Sequence, residues 1–149
     1  MKKMRYMKII VILFAILISC STKNIFASDV IEEKIDPSEN IIEEFGEEEG
    51  NLETFSNSII VNWTVKSGVR KKTKQFYKKK GSSLNIRLQI EPGTKSVKVG
   101  YLDEDQVKHY KTVKAEINHD FIIKKTGYIK VFVQNNSGET VKVTGSYKK

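Results

Sequence analysis

The chain has 149 residues, a net charge of +8 and one cysteine. That length accommodates one ordinary domain, and a lone cysteine excludes a disulfide framework within the chain. The charge is divided: Asp29 to Glu53 holds eleven acidic residues and one lysine, whereas Thr54 to Lys149 holds twenty Lys or Arg against seven Asp or Glu. A folded unit that basic attracts polyanions, whether nucleic acid, anionic lipid or wall polymer.

Residues 1–27 read as a signal peptide. "MKKMRYMK" supplies Lys2, Lys3, Arg5 and Lys8, and Ile9 to Ile18 are ten uncharged apolar residues. Ten is too few for a membrane span, which takes about 20, and suits a signal-peptide core. The mature chain is therefore expected outside the cytoplasm. Two cuts are legible. "Leu17-Ile18-Ser19-Cys20" resembles a bacterial lipobox, which implies lipidation of Cys20 and anchoring to the outer face of the membrane. The alternative cut follows Ala27 and releases a chain that begins at Ser28.

Residues 28–57 read as an acidic linker, mostly disordered, because so charged a segment cannot bury enough apolar surface to fold. Asp36-Pro37-Ser38-Glu39 has the grammar of a helix start, with Ile41, Ile42 and Phe45 on one face and Gly46 as the stop. A helix that short is marginal alone in water. The competing expectation is that the segment docks on the basic domain and masks it.

Residues 58–149 show a period of two. Ile59, Val61, Trp63 and Val65 alternate with polar residues, as do Leu84, Ile86, Leu88 and Ile90. "SVKVGYL" and "VKHYKTV" flank the turn Asp103-Glu104-Asp105-Gln106, and "YIKVFVQ" and "TVKVTGSY" flank "NNSGE", which has hairpin-loop chemistry. With "KTKQFYK" and "HDFIIKK" this predicts about eight strands and no helix, an all-β antiparallel sandwich or jelly roll. Trp63, Phe76, Phe121 and Phe132 are its expected large core members. Phe76, Gly81, Leu84-x-Ile86-x-Leu88 and Pro92, followed by "TGYIKVFVQNNSGETVKVTGSY", resemble small extracellular bacterial sandwich modules of the pre-peptidase C-terminal and GOLD type, as found in secreted proteins and lipoproteins of Gram-positive type. The likeness covers roughly Phe76 to Tyr147, and it implies an accessory or binding role rather than an activity.

"RKKTKQFYKKK" places Arg70, Lys71, Lys72, Lys74, Lys78, Lys79 and Lys80 within eleven positions. Two readings stand side by side: lysines that protect a sheet edge from pairing with other chains, and a face that binds anions. Outside the cell the anions are lipid headgroups or phosphate-rich wall polymers. Nucleic acid is disfavoured, since only Tyr77, Tyr110 and Tyr101 offer stacking surfaces. His109 and His119 are too few for a zinc site, and Asp103-Glu104-Asp105 reads as a solvated turn rather than a calcium loop. No nucleophile has a credible base, so the expectations are no catalysis, no metal and no cofactor. The leading expectation is an exported envelope protein that binds anionic surface material or an envelope protein through its lysine face. The alternative is an immunity or inhibitor protein that captures an exported toxin or enzyme. The processing reading is checked by intact mass of the chain from its native host. A start at acylated Cys20 in membranes, or at Ser28 in the medium, is expected, and any other start overturns it.

Overall fold

The structure is a computed structural model and describes residues 29–50 and 58–149; Cys20 and the expected signal peptide lie outside the described residues. Among the described residues are twelve strands and no helix. Three come from the acidic segment: β1 (Ile31–Lys34), β2 (Ile42–Phe45) and β3 (Glu48–Gly50). They are followed by β4 (Ser58–Val65), β5 (Val69–Lys72), β6 (Phe76–Lys78), β7 (Ser83–Glu91) and β8 (Ser96–Leu102). The last four are β9 (Val107–Lys114), β10 (Glu116–Ile122), β11 (Gly127–Asn135) and β12 (Val141–Lys148).

These strands form two sheets. One runs β1-β9-β8-β11-β5-β2, with β6 also paired to β11; the other runs β10-β7-β12-β4-β3. All pairings are antiparallel except β2 on β5, which is parallel. The expected all-β sandwich is the observed class. Alternation places Val61, Trp63 and Val65 of β4 and Leu84, Ile86, Leu88 and Ile90 of β7 between the sheets, where they meet Val97, Val99, Tyr101, Val131 and Val133 from the facing sheet. Burial of such side chains, about 1.5–3 kcal/mol each, is what holds the two layers together. The outer face of the five-stranded sheet is polar, with Asn85, Arg87, Gln89, Asn118, Asp120 and Thr144 on neighbouring strands.

The basic run departs from one regular strand. Lys72 pairs with Phe132 but Phe76 pairs with Ile129, so four residues oppose three and the run carries a bulge at 73–75. Thr73 fills the gap: its amide donates to the Val131 carbonyl and its hydroxyl oxygen accepts the Val131 amide. An extra residue reverses side-chain parity. Lys72 therefore points out of the sandwich while Phe76 points in, where it stacks half-buried on Tyr147. Phe132 also departs from expectation. It is fully buried, yet on the outer face of its sheet, in a second small cluster with Leu102, Tyr110 and Ile35. What covers that face is the acidic segment.

Candidate functional site: a basic face under an acidic strap

The segment expected as a disordered linker is a strap, and no helix forms after Asp36. β1 adds to the edge of β9 and β2 adds to the edge of β5, at opposite ends of the same sheet. Residues 35–41 cross its outer face between them. The Ile35 amide donates to the Gln106 carbonyl, the Ile42 amide to Gly68 and the Gly46 amide to Lys72, each at 2.9 Å. The helix-start grammar yields only a turn, in which the Asp36 carboxylate accepts from the Ser38 amide and hydroxyl and the Glu39 amide donates to the Asp36 carbonyl. The extended form gives main-chain bonds to two open edges and puts Glu43 beside Arg70, its register neighbour on β5.

The face beneath is polar and cationic around a small aromatic centre. Tyr110, Gly100, Phe132 and Lys72 form one row across four strands. Gly100 leaves room for the Tyr110 and Phe132 rings to meet edge to face at 6.4 Å. Arg70, 1% exposed, donates from Nε and Nη2 to Gln134 Oε1, from Nη1 to Glu43 Oε1 and from Nη2 to Glu39 Oε2. Gln134 Nε2 donates to the other oxygen of Glu39 at 2.8 Å. Lys108, 0% exposed, lies 3.3 Å from Glu39 and 3.4 Å from Glu33, while the Tyr110 hydroxyl donates to Glu33 at 2.8 Å. Lys72 donates to Glu43 and sits over the Phe45 ring. Three carboxylates of the strap thus satisfy three buried cations. The cations are buried but the carboxylates of Glu39, Glu43 and Glu33 stay 23%, 37% and 43% exposed, so removing one costs less than the roughly 3–5 kcal/mol of a fully buried pair. Here the loss is capped by the free energy of docking, because lifting the strap returns the cations to water.

Seven basic residues predicted as one anionic-ligand face fall into two groups. Arg70 and Lys72 are buried under the strap, and Lys71 lies 3.7 Å from Glu44. Strap carboxylates pair with those three, so the run does not form a single exposed face. Lys74, Lys79 and Lys80 are exposed, and Lys78, half-buried, donates to the Ser83 carbonyl at 2.8 Å. Beside them stands a pair that sequence reasoning half missed. Tyr77 and Tyr128 are register partners on β6 and β11, pack edge to face at 5.8 Å, and are 54% and 51% exposed. Tyr101 and Tyr110 are buried and offer no stacking surface.

The turn after β8 is not fully solvated. Asp103 accepts the Asp105 and Val107 amides through Oδ1, and its Oδ2 lies 3.1 Å from His109 Nε2. His109 is buried and stacks on Tyr101 at 4.5 Å, with Nδ1 3.6 Å from Glu32. His119 meets Phe121 edge-on, and burial holds its pKa below the ordinary imidazole value. Among the described residues no cluster of three or more His, Cys, Asp or Glu is placed to hold a metal.

At its C-terminal end the strap lies flat on Trp63. A Cβ on Gly46 would sit 2.1 Å from the indole Cε2, and Trp63 Nε1 donates to the Glu47 carbonyl at 2.8 Å. A cavity of about 380 Å³ opens there, lined by Glu44, Phe45, Glu47, Asn62, Trp63 and Lys71. No family model matches this chain, and no curated protein does either.

Two predictions follow the strap. Trp63 is the sole tryptophan, so its emission reports docking. Gly46→Ala is expected to cost about 1–3 kcal/mol by overpacking and to red-shift that emission; unchanged emission and stability would contradict the contact. The Glu33, Glu39 and Glu43 carboxyls all lie below the usual value of 4.5. At Glu33 the Tyr110 hydrogen bond leads. At Glu39 and Glu43 burial is the largest influence and pushes upward, but it is outweighed by Gln134 and Lys108 at Glu39 and by Lys72 and Arg70 at Glu43. Carboxyls with lowered native values stabilise docking above their unfolded value and lose that contribution as pH falls through the native one. Trp63 emission should therefore hold steady from about pH 7 to about pH 5 and shift on further acidification, ahead of the far-UV transition. A single coincident transition would count against separate docking.

Proposed function

We propose that this protein is an exported, non-enzymatic envelope protein whose sandwich binds anionic surface material, a phosphate-rich wall polymer or lipid headgroups, at the end of the domain that the strap leaves uncovered. The exposed Tyr77–Tyr128 pair carries the reading, because it stands beside Lys78, Lys79 and Lys80, with Lys130 two residues along β11. Half-exposed aromatic rings among lysines combine an apolar, amphipathic contact with attraction for phosphate. The likeness to extracellular accessory modules supports a binding role in the same direction, and so does the export segment.

Cosedimentation with anionic vesicles and with isolated wall, with and without its anionic polymer, tests this. Each lysine near an anionic surface contributes about 1 kcal/mol. Lys79→Ala with Lys80→Ala is therefore expected to weaken binding about 30-fold, and added salt should weaken it further. Affinity indifferent to salt and to both substitutions would sink the reading. Retention of vesicles but not wall, or the reverse, identifies the source of the phosphate.

A further inference from the structure

We propose that the outer face of the seven-stranded sheet is a docking site for an extended acidic polypeptide segment of a partner protein, and that residues 31–45 of this chain occupy it as an exchangeable intramolecular ligand. The site is distinct from the Tyr77–Tyr128 end, so the two readings stand or fall separately.

Two features of the face define its ligand. The strap is held as added strand at β9 and at β5, the mode in which sheet edges capture extended peptides. Its carboxylates at 33, 39 and 43 each meet a cation: Lys108, Arg70 with Lys108, and Arg70 with Lys72. A recognised segment is therefore extended, acidic at those spacings, and able to seat one aliphatic side chain, as Ile35 does, against Leu102, Tyr110 and Phe132.

The chemistry of the face argues for exchange rather than permanent cover. A permanently buried layer is as stable, or more so, with apolar residues as with ion pairs. A face that is uncovered at times must remain soluble, and Arg70, Lys72, Lys98, Lys108 and Gln134 around a small aromatic centre meet that need. An apolar face of that extent would be an aggregation site when bare. The strap's own fit also leaves room for a competitor. Its strands on this sheet are four residues each, and Ile31, Ile42 and Phe45 stay 44%, 63% and 67% exposed.

The test uses the full chain and two labelled peptides, one copying residues 29–47 and one of the same composition in scrambled order. The strap of the wild type competes in cis, so observed affinity is reduced by the fraction of molecules with the face open. In the E33Q/E39Q/E43Q variant the cations of the face are intact and the competitor is weakened, so the copy peptide should bind at least about tenfold tighter than to wild type. It should also restore Trp63 emission and outperform the scramble. Equal binding of copy and scramble, or equal displacement by polyphosphate, would show that the face reads charge alone and would overturn the proposal. Concentration-dependent dimers of the wild type that exclude the peptide would assign the face to a second copy and overturn it likewise. Hydrogen exchange on the wild type needs no variant. The Ile35, Ile42 and Gly46 amides should exchange well ahead of those in β7 and β12, whereas exchange only with global unfolding would mean that the strap never leaves. Peptide binding that survives Lys79→Ala with Lys80→Ala separates this site from the other.

Discussion

Arg70 and Lys108 are buried on one sheet face, and Glu39 stands between them. Burying two like charges without a counterion is not viable at any plausible effective dielectric. The carboxylate is therefore the condition on which the layer above the sheet exists. Gln134 completes the arrangement by accepting from Arg70 and donating to Glu39, which leaves the guanidinium and both carboxylate oxygens partnered. From that contact the rest follows. Glu39 anchors the middle of the strap, the Asp36 turn sets its direction, and β1 and β2 close it onto the two edges.

The strap also covers the edges of β9 and β5 and makes the short β1 and β2 the outermost strands of that order. Open β-edges template pairing with other chains. Here β9 and β5 are both covered, by strands carrying Glu32, Glu33, Glu43 and Glu44. The lysines read from sequence as edge protection are in part the inner surface of a covered face. Within the run, the exposed Lys79 and Lys80 follow β6, whose Tyr77 faces outward against Tyr128. One continuous basic run thus serves two physically different ends of the domain, divided by the bulge at Thr73.

Much of the sandwich was legible in the sequence. Strict alternation in β4 and β7 identifies which side chains face inward, because a strand half-exposed to water admits only that period. Hairpin chemistry at Asp103–Gln106 and in "NNSGE" is local, so it too is readable. The Arg70–Lys80 run was legible as basic and aromatic, but not as two groups of opposite fate. Parity arguments assume a regular strand, and a one-residue bulge reverses every side chain beyond it. Phe132 was correctly read as buried and misplaced, since alternation says which residues share a face and not how many faces are covered.

By itself, then, the amino-acid order determined an all-β fold, the composition of its main core and the opposition of an acidic segment to a basic domain. The leader expected from the basic and apolar start, with its cysteine, lies outside the described residues. Only the tertiary structure decided that the acidic segment is part of the fold. Local composition favours solvation for so charged a stretch. The partners of its glutamate carboxylates are 27 to 95 residues away along the chain, from Glu43 and Arg70 to Glu39 and Gln134. An isolated run of glutamates has no means of ordering itself. It becomes structure where distant strands have already assembled two unpaired edges and a row of cations at the matching spacing.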